Sequence, residues 1–429
     1  MVYILKYLKK LLKKIGPGFI TGAADDDPSG VATYSQTGAI FGFSQLWLAL
    51  FTFPFMATIQ KMCGRIGMVT GKGLAGVIRV NYSKAVLYFA VSLLVIANTI
   101  NIGADLGAMA ASAQMLLGLP YLFWLILMTA FIIALEIFVT YKVYSKILKY
   151  LGLTLLAYVF TAFIVKPDWG LIARSTVLPQ IQFSGDYILN VVAILGTTIS
   201  PYLFFWQASE EVEEEISDGK VVDMGVGKPR VTKKNVAGMD WDTNVGMLFS
   251  QAIMFFIIIT TAATLHANGI TNIATASQAA EALRPVAGDL AYLLFAVGII
   301  GTGLLAVPIL AGSSAYAVSE TMGMREGLSK KTRLAPGFYG VIAASTFVGM
   351  LISWLGIDPI KALYYAAALN GLTAPPLMVL IILIANNKKI MGRHVNKRTS
   401  RILGWAIVLV MSVAGILLII NMLKGTVIK

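Results

Sequence analysis

The stretch GPGFITGAADDDPSGVATYSQTGAIFGF, residues 16–43, is apolar on both flanks and carries three aspartates, a proline, a serine and a glycine at its centre, residues 25–30. In a water-soluble chain DDDPSG reads as a turn, because Asp accepts local backbone hydrogen bonds and Pro-Ser-Gly supplies the bend. Composition argues for a different solvent. Hydrophobic residues make up 57% of the 429 and charged residues 13%, and apolar runs of the roughly 20 residues needed to span a hydrocarbon core recur along the chain. The sequence is that of an all-α polytopic membrane protein. A proline inside a helix removes one backbone hydrogen bond and crowds the preceding turn, so the first span is expected to be broken. An aspartate at membrane depth costs about 2.5–3.5 kcal/mol on insertion scales and marks a functional position.

Apolar runs between charged or Gly/Pro-rich breaks predict eleven spans, near 15–42, 44–60, 85–117, 121–140, 147–165, 187–209, 244–265, 291–314, 336–355, 359–385 and 402–423. With the N-terminus cytoplasmic, all of the 34 Lys and Arg residues fall on inner segments except Lys166, Arg174, Arg284, Lys361, Lys424 and Lys429. That bias orients the chain with its N-terminus inside and its C-terminus outside a cell membrane. It also explains the net charge of +13 without nucleic acid, since the cations face anionic lipid. Residues 1–14, MVYILKYLKKLLKK, lack a cleavable apolar region and read as an amphipathic segment lying on the bilayer. A single cysteine, Cys63, and two separated histidines, His266 and His394, exclude a disulfide framework and a histidine metal cluster.

The sixth span repeats the anomaly of the first, with GTTISPYLFF at residues 196–205. Unpaired backbone at membrane depth is tolerated where it lines a polar cavity, and discontinuous helices expose carbonyls and helix ends that hold ions. Spans one and six open the two halves of a five-plus-five arrangement. Because five is odd, the second half enters from the opposite face, as in inverted-repeat transporters. One transport domain, 1–429, is expected: repeat one over about 15–165, repeat two over about 187–385, and an extra helix over about 402–423.

GPGFITGAADDDPSG resembles the first-helix signature of the Nramp family of divalent metal transporters, where Asp-Pro-Gly-Asn follows a Gly-Pro-Gly helix start. GTTISPY is similar to the family's Ala-Thr-Ile-Met-Pro-His segment, and the likeness includes GKGLAGVIR after the second span. The resemblance implies a LeuT-type fold with alternating access for a metal ion. It places the family's metal-binding aspartate on Asp27, its ligating asparagine on Gly30, its ligating alanine carbonyl on Thr197 and its ligating methionine on Ser200. The proton-linked histidine falls on Tyr202. Of two acidic residues tied to the proton route, Asp105 keeps the first and Ala108 replaces the second.

These departures point to a changed cargo. A thioether favours soft or borderline metals, so a hydroxyl at Ser200 removes a filter against Mg2+. Gly30 and Ser200 also empty volume around Asp27, which suits an ion that keeps several waters. Losing a histidine and an acid removes groups that carry protons near neutral pH. The expectation is uncoupled transport of Mg2+, with Mn2+ also admitted, as in the Nramp-related magnesium transporter branch. Two charges crossing 100 mV gain about 4.6 kcal/mol, a sufficient drive without protons. The alternatives are a proton-coupled Mn2+/Fe2+ importer and a LeuT-fold amino acid transporter; three aspartates at the break would repel an anionic substrate.

Asp25 and Asp26 either deepen the field at the ion or cap the broken helix. Asn370 and Thr373, in LNGLTAPP, lie where the family places a polar ligand. The run EEVEEE, residues 210–215, reads either as a solvated helix continuation balanced by Lys233, Lys234 and their neighbours or as a lure or sensor for cations at the inner exit. Glu136 and Glu320 have no assignable role. GIIGTGLLAVP lacks the Lys-Ser/Thr of a phosphate loop, and no nucleophile, base and orienter set is recognisable, so a monomeric transporter without a cofactor is expected rather than an enzyme.

Overall fold

A computed structural model describes residues 16–139, 155–227, 229–273 and 275–424. The basic lead-in at 1–14, the start of the fifth expected span, and Lys142, Lys146, Lys149, Lys228 and Lys429 lie outside the described residues. Among the described residues the only extended pairing is an isolated bridge between Asp223 and Val226, and the rest is helix and connection. The principal helices are α1 (Pro17–Asp25), α2 (Pro28–Phe41), α3 (Trp47–Thr70), α4 (Leu74–Asn81), α5 (Lys84–Leu117), α6 (Tyr121–Phe138), α7 (Leu156–Ile164) and α8 (Trp169–Val177). They continue as α9 (Gly185–Thr198), α10 (Pro201–Ser217), α11 (Lys233–Thr264), α12 (Ala291–Met322), α13 (Pro336–Trp354), α14 (Pro359–Asn386) and α15 (Arg398–Leu423).

Eight helical stretches among the described residues are long and apolar enough to cross a membrane: Lys84–Leu117, Tyr121–Phe138, Gly185–Ser217, Lys233–Asn268, Gly288–Met322, Pro336–Trp354, Pro359–Asn386 and Arg398–Leu423. The α1–α2 pair, α3 and the described part of the fifth expected span are helical but fall outside that measure, being interrupted, more polar or short. Large apolar side chains are exposed on the outer helices, among them Phe89, Ile96, Phe131, Leu409 and Ile416. Such a surface belongs against lipid, and the protein is a multi-pass membrane protein.

Both anomalous segments are discontinuous for the same local reason. At the first, Asp26 adopts φ −84°, ψ 54°, Asp27 is extended at φ −68°, ψ 173°, and Pro28 starts α2. At the second, Ile199 adopts φ −122°, ψ 58°, Ser200 is extended at φ −81°, ψ 135°, and Pro201 starts α10. Proline pushes its predecessor out of the helical region and is itself preorganised for a first helical turn.

Small residues let these segments cross without a gap. A Cβ on Gly22 of α1 would lie 2.2 Å from the backbone of Gly246 on α11, and one on Gly196 of α9 would lie 2.0 Å from the Ala367 carbonyl on α14. Backbone lies on both sides of these contacts, so nothing flexible can yield. Gly196→Ala is therefore expected to cost at least the 1–3 kcal/mol or so of overpacking. The check is a lowered apparent melting temperature in detergent; an unchanged one would mean that α9 and α14 stand apart.

Span ends differ from expectation where charge was read as a boundary. The second span was expected to stop at 60, yet α3 runs to Thr70. Arg65 is buried on it and donates to Asn396 Oδ1 at 2.5 Å, so the helix continues because its cation has an internal partner.

Candidate cation site at the paired helix breaks

Asp27 is both the N-cap of α2 and the centre of a buried polar network. Its Oδ1 accepts from the Gly30 N–H at 2.7 Å and from the Ser29 hydroxyl at 2.6 Å, and its Oδ2 accepts from Asn101 Nδ2 at 3.0 Å. Asn101, on α5, also donates to Asp105 Oδ2 at 3.2 Å, and its Oδ1 accepts from Asn370 Nδ2 of α14 at 3.2 Å. One amide thus ties Asp27 to Asp105 and to the tenth expected span. Asn370 Oδ1 has no hydrogen-bond partner.

The second break meets the first here. Ser29 Oγ lies 3.4 Å from Thr197 Oγ1, and the Tyr202 hydroxyl donates to the Ala24 carbonyl in the last turn of α1 at 2.9 Å. A Cβ on Gly30 would sit 3.3 Å from both Thr197 Oγ1 and the Tyr34 ring. Asp27, Gly30 and Thr197 are thereby brought together. Ser200 is adjacent, but its hydroxyl donates to the carbonyls of Gly196 and Thr197 at 2.7 and 2.8 Å. Thr373 turns its hydroxyl onto its own helix, toward Leu369 and Asn370 carbonyls, and Ala108 is buried among apolar residues.

Asp25 and Asp26 share a different partner. Ser250 of α11 donates to Asp25 Oδ2 at 2.5 Å and lies 3.4 Å from Asp26 Oδ1, while Asp25 Oδ1 and Asp26 Oδ2 have no hydrogen-bond partner. All three aspartates and Asp105 are at most 1% exposed. Among the described residues, every ion pair lies elsewhere: Lys220 with Asp218, Arg284 with Glu281 and Asp289, and Lys330 with Asp223. No three His, Cys, Asp or Glu side chains converge as a metal cage among the described residues; the donors around Asp27 are carboxylate, hydroxyl, amide and backbone.

Natural resistance-associated macrophage protein-like (Nramp) is the family that matches residues 18–421. The chain belongs to the Nramp family. Among its relatives, the divalent metal cation transporter MntH of Klebsiella pneumoniae subsp. pneumoniae is 27% identical over 421 residues, covering 97% of this chain and 96% of its own. MntH of Caldanaerobacter subterraneus subsp. tengcongensis is 27% identical over 442 residues, covering 99% and 97%. The Eremococcus coleocola manganese transporter superposes with a TM-score of 0.75 at 16% identity, over 97% of this chain and 87% of its own. Mhp1, a nucleobase-cation-symport-1 family transporter, gives 0.60 at 13% identity over 95% and 91%. The fold of this Nramp-family chain is LeuT-type.

Three members of the network escaped the sequence reading: Asn101, Ser29 and Ser250. Asn101 had a signal, since it stands one helical turn before Asp105 in a largely apolar span, and polar groups at i and i+4 share a helix face. Ser29 is a small residue at the start of a helix, and nothing in the local pattern around Ser250 links it to residues more than 200 positions earlier.

Proposed function

We propose that this protein carries divalent metal ions across a membrane by alternating access, with Asp27, Gly30, Thr197 and Ser200 at the ion, Asp26, Asn370 and Thr373 around it, and Mg2+ as the preferred cargo. The observation that carries this reading is the set of four buried aspartates with no ion-pair partner among the described residues. Buried charge needs compensation, and a cation supplies it. The side chains bonded to Asp27, from Ser29 and Asn101, offer oxygen and nitrogen rather than sulfur or imidazole, which suits a hard ion that binds through one carboxylate and its own waters. The names of the MntH relatives support a divalent metal as the class of cargo.

Transport is uncoupled in this reading, because Tyr202 and Ala108 stand at positions that carry protons in the resembled family. The chain would cross a cell membrane eleven times as a monomer, N-terminus inside and C-terminus outside, in repeats 15–165 and 187–385 followed by helix 402–423. A second reading, proton-coupled Mn2+ import, draws on the Asp27–Asn101–Asp105 connection, since two buried carboxylates joined by one amide can be neutralised by protons instead. The two separate in proteoliposomes holding a Mg2+ indicator and a pH indicator under a negative-inside potential. Mg2+ entry without acidification is expected. Exclusion of Mg2+ with joint entry of Mn2+ and protons would establish the second reading.

A further inference from the structure

The connection between α14 and α15, NKKIMGRHVNKR at residues 387–398, is fastened to the bundle. Met391 is fully buried. Asn396, also buried, accepts from Arg65 of α3, and its N–H donates to the Ala385 carbonyl at 3.0 Å, closing the segment on itself. Arg393 donates to the Val231 carbonyl at 3.2 Å. Cations from both ends of the segment are thereby held at one end of the α14–α15 pair.

Those cations have no counter-charge. Lys388, Lys389, Lys397, Arg398 and Arg401 are exposed, and none forms an ion pair among the described residues, where Lys220, Arg284 and Lys330 each have one. No Asp or Glu follows Asp358 in the sequence. His394 is held below the usual imidazole range by partial burial, with Arg393 and Arg65 adding to the shift, so the field across the segment is positive. α15 adds the partial positive charge of an N-terminus that no side chain caps.

The bare face of α15 begins where the cations end. Ile402, Trp405, Leu409, Val413, Ile416 and Ile420 are exposed at three- and four-residue spacing, one stripe on a helix whose opposite side, through Gly404, Ile407 and Met411, is buried. Over residues 402–420 the stripe is about 27 Å long at 1.5 Å per residue, close to the roughly 30 Å of a hydrocarbon core. Arg398 and Arg401 stand one turn before Ile402 and Trp405 on the same stripe, at the depth of lipid headgroups, where a tryptophan ring is also favoured. A free phosphate would need only the cations; the apolar stripe joined to them selects a phosphate that carries acyl chains. We propose that this is a binding site for one anionic phospholipid, its phosphate between Arg398 and Arg401 with Lys388, Lys389 and Lys397 around it, and its chains along Ile402, Trp405 and Leu409.

The proposal stands on α15 and does not depend on the cargo or on proton coupling. Its test is native mass spectrometry of the purified full chain released from micelles holding equal amounts of dioleoylphosphatidylglycerol and dioleoylphosphatidylcholine. The unaltered protein is expected to retain one phosphatidylglycerol in preference to phosphatidylcholine by about fivefold or more, the gain that one cation near a charged headgroup supplies. Arg398→Gln/Arg401→Gln should abolish that preference at an unchanged melting temperature, both side chains being exposed; should the pair lower it, Arg401→Gln alone carries the comparison. Lys331→Gln/Arg333→Gln removes the same charge from exposed positions before α13 and should keep the preference. No preference in the unaltered protein would overturn the proposal, as would equal loss in both pairs, which means diffuse attraction. Inorganic phosphate that displaces the lipid at equal concentration would overturn it in favour of a plain anion site. Dimers lost in the arginine pair with lipid retention unchanged would overturn it in favour of an interface between copies.

Discussion

Replacement of Asp27 by alanine is expected to reduce cation uptake to that of empty liposomes. The aspartate has two jobs at one position. It is the buried carboxylate nearest the meeting of the two breaks, and it is the N-cap whose Oδ1 takes the Gly30 N–H. Losing a cap costs about 0.5–2 kcal/mol, which a multi-span bundle can survive, but alanine removes both contributions at once. Asparagine separates them, because it caps as well as aspartate and carries no charge. Asp27→Asn should therefore match the unaltered protein in size-exclusion profile and melting temperature while transporting nothing. Uptake preserved in a folded Asp27→Asn protein would sink the assignment of this carboxylate to the ion.

Asn101→Leu should have the next largest effect. Its amide donates to Asp27 Oδ2 and Asp105 Oδ2 and accepts from Asn370. Leucine keeps the volume and offers no polar atom, so two carboxylates and one amide lose a partner in a buried place. Stranding a buried polar group costs about 1–3 kcal/mol, more when it is charged. Part of that cost appears as a lower melting temperature. The rest appears as misplacement of Asp27, with uptake expected to fall about tenfold or more at fixed Mg2+. Asn101→Asp gives the contrasting case, keeping the acceptor while adding a carboxylate beside two others. If Asn101→Leu transported normally, the network would be scaffolding with no bearing on the ion.

Much of this was legible in the sequence, and the reasons are local. A proline in an apolar run fixes a break through sterics that involve only neighbouring residues, and α2 and α10 begin at Pro28 and Pro201. Gly30 and Thr197 were reached through resemblance, and they do approach each other. Tertiary partners were a different matter. Ser250 reaches Asp25 and Asp26 only because Gly22 and Gly246 let α1 and α11 touch, a contact no local pattern encodes. In EEVEEE, expected to be solvated, Glu214 is exposed but Glu210, Glu211 and Glu215 are buried, because a run of like charges has the same pattern against water as against neighbouring helices; what separates the cases is the set of partners, Tyr316, Gln207 and the Leu328 N–H, supplied from elsewhere. Glu320, unassignable in sequence, accepts from the Gly76 N–H in the first turn of α4 at 2.8 Å. Glu136 is buried with both oxygens unpartnered, and nothing in the structure explains it.

The paired breaks have an electrostatic consequence. Each brings a helix C-terminus, of α1 or α9, beside a helix N-terminus, of α2 or α10, and each end carries about half an elementary charge of opposite sign. Two ends of each polarity therefore sum to nearly nothing where Ser29 and Thr197 meet. The backbone there acts toward an ion as a neutral solvent of fixed dipoles, taking the place of displaced water without choosing a sign of charge. Attraction for positive charge is left to the aspartates, so the site's valence is written in side chains while its capacity to solvate is written in the fold.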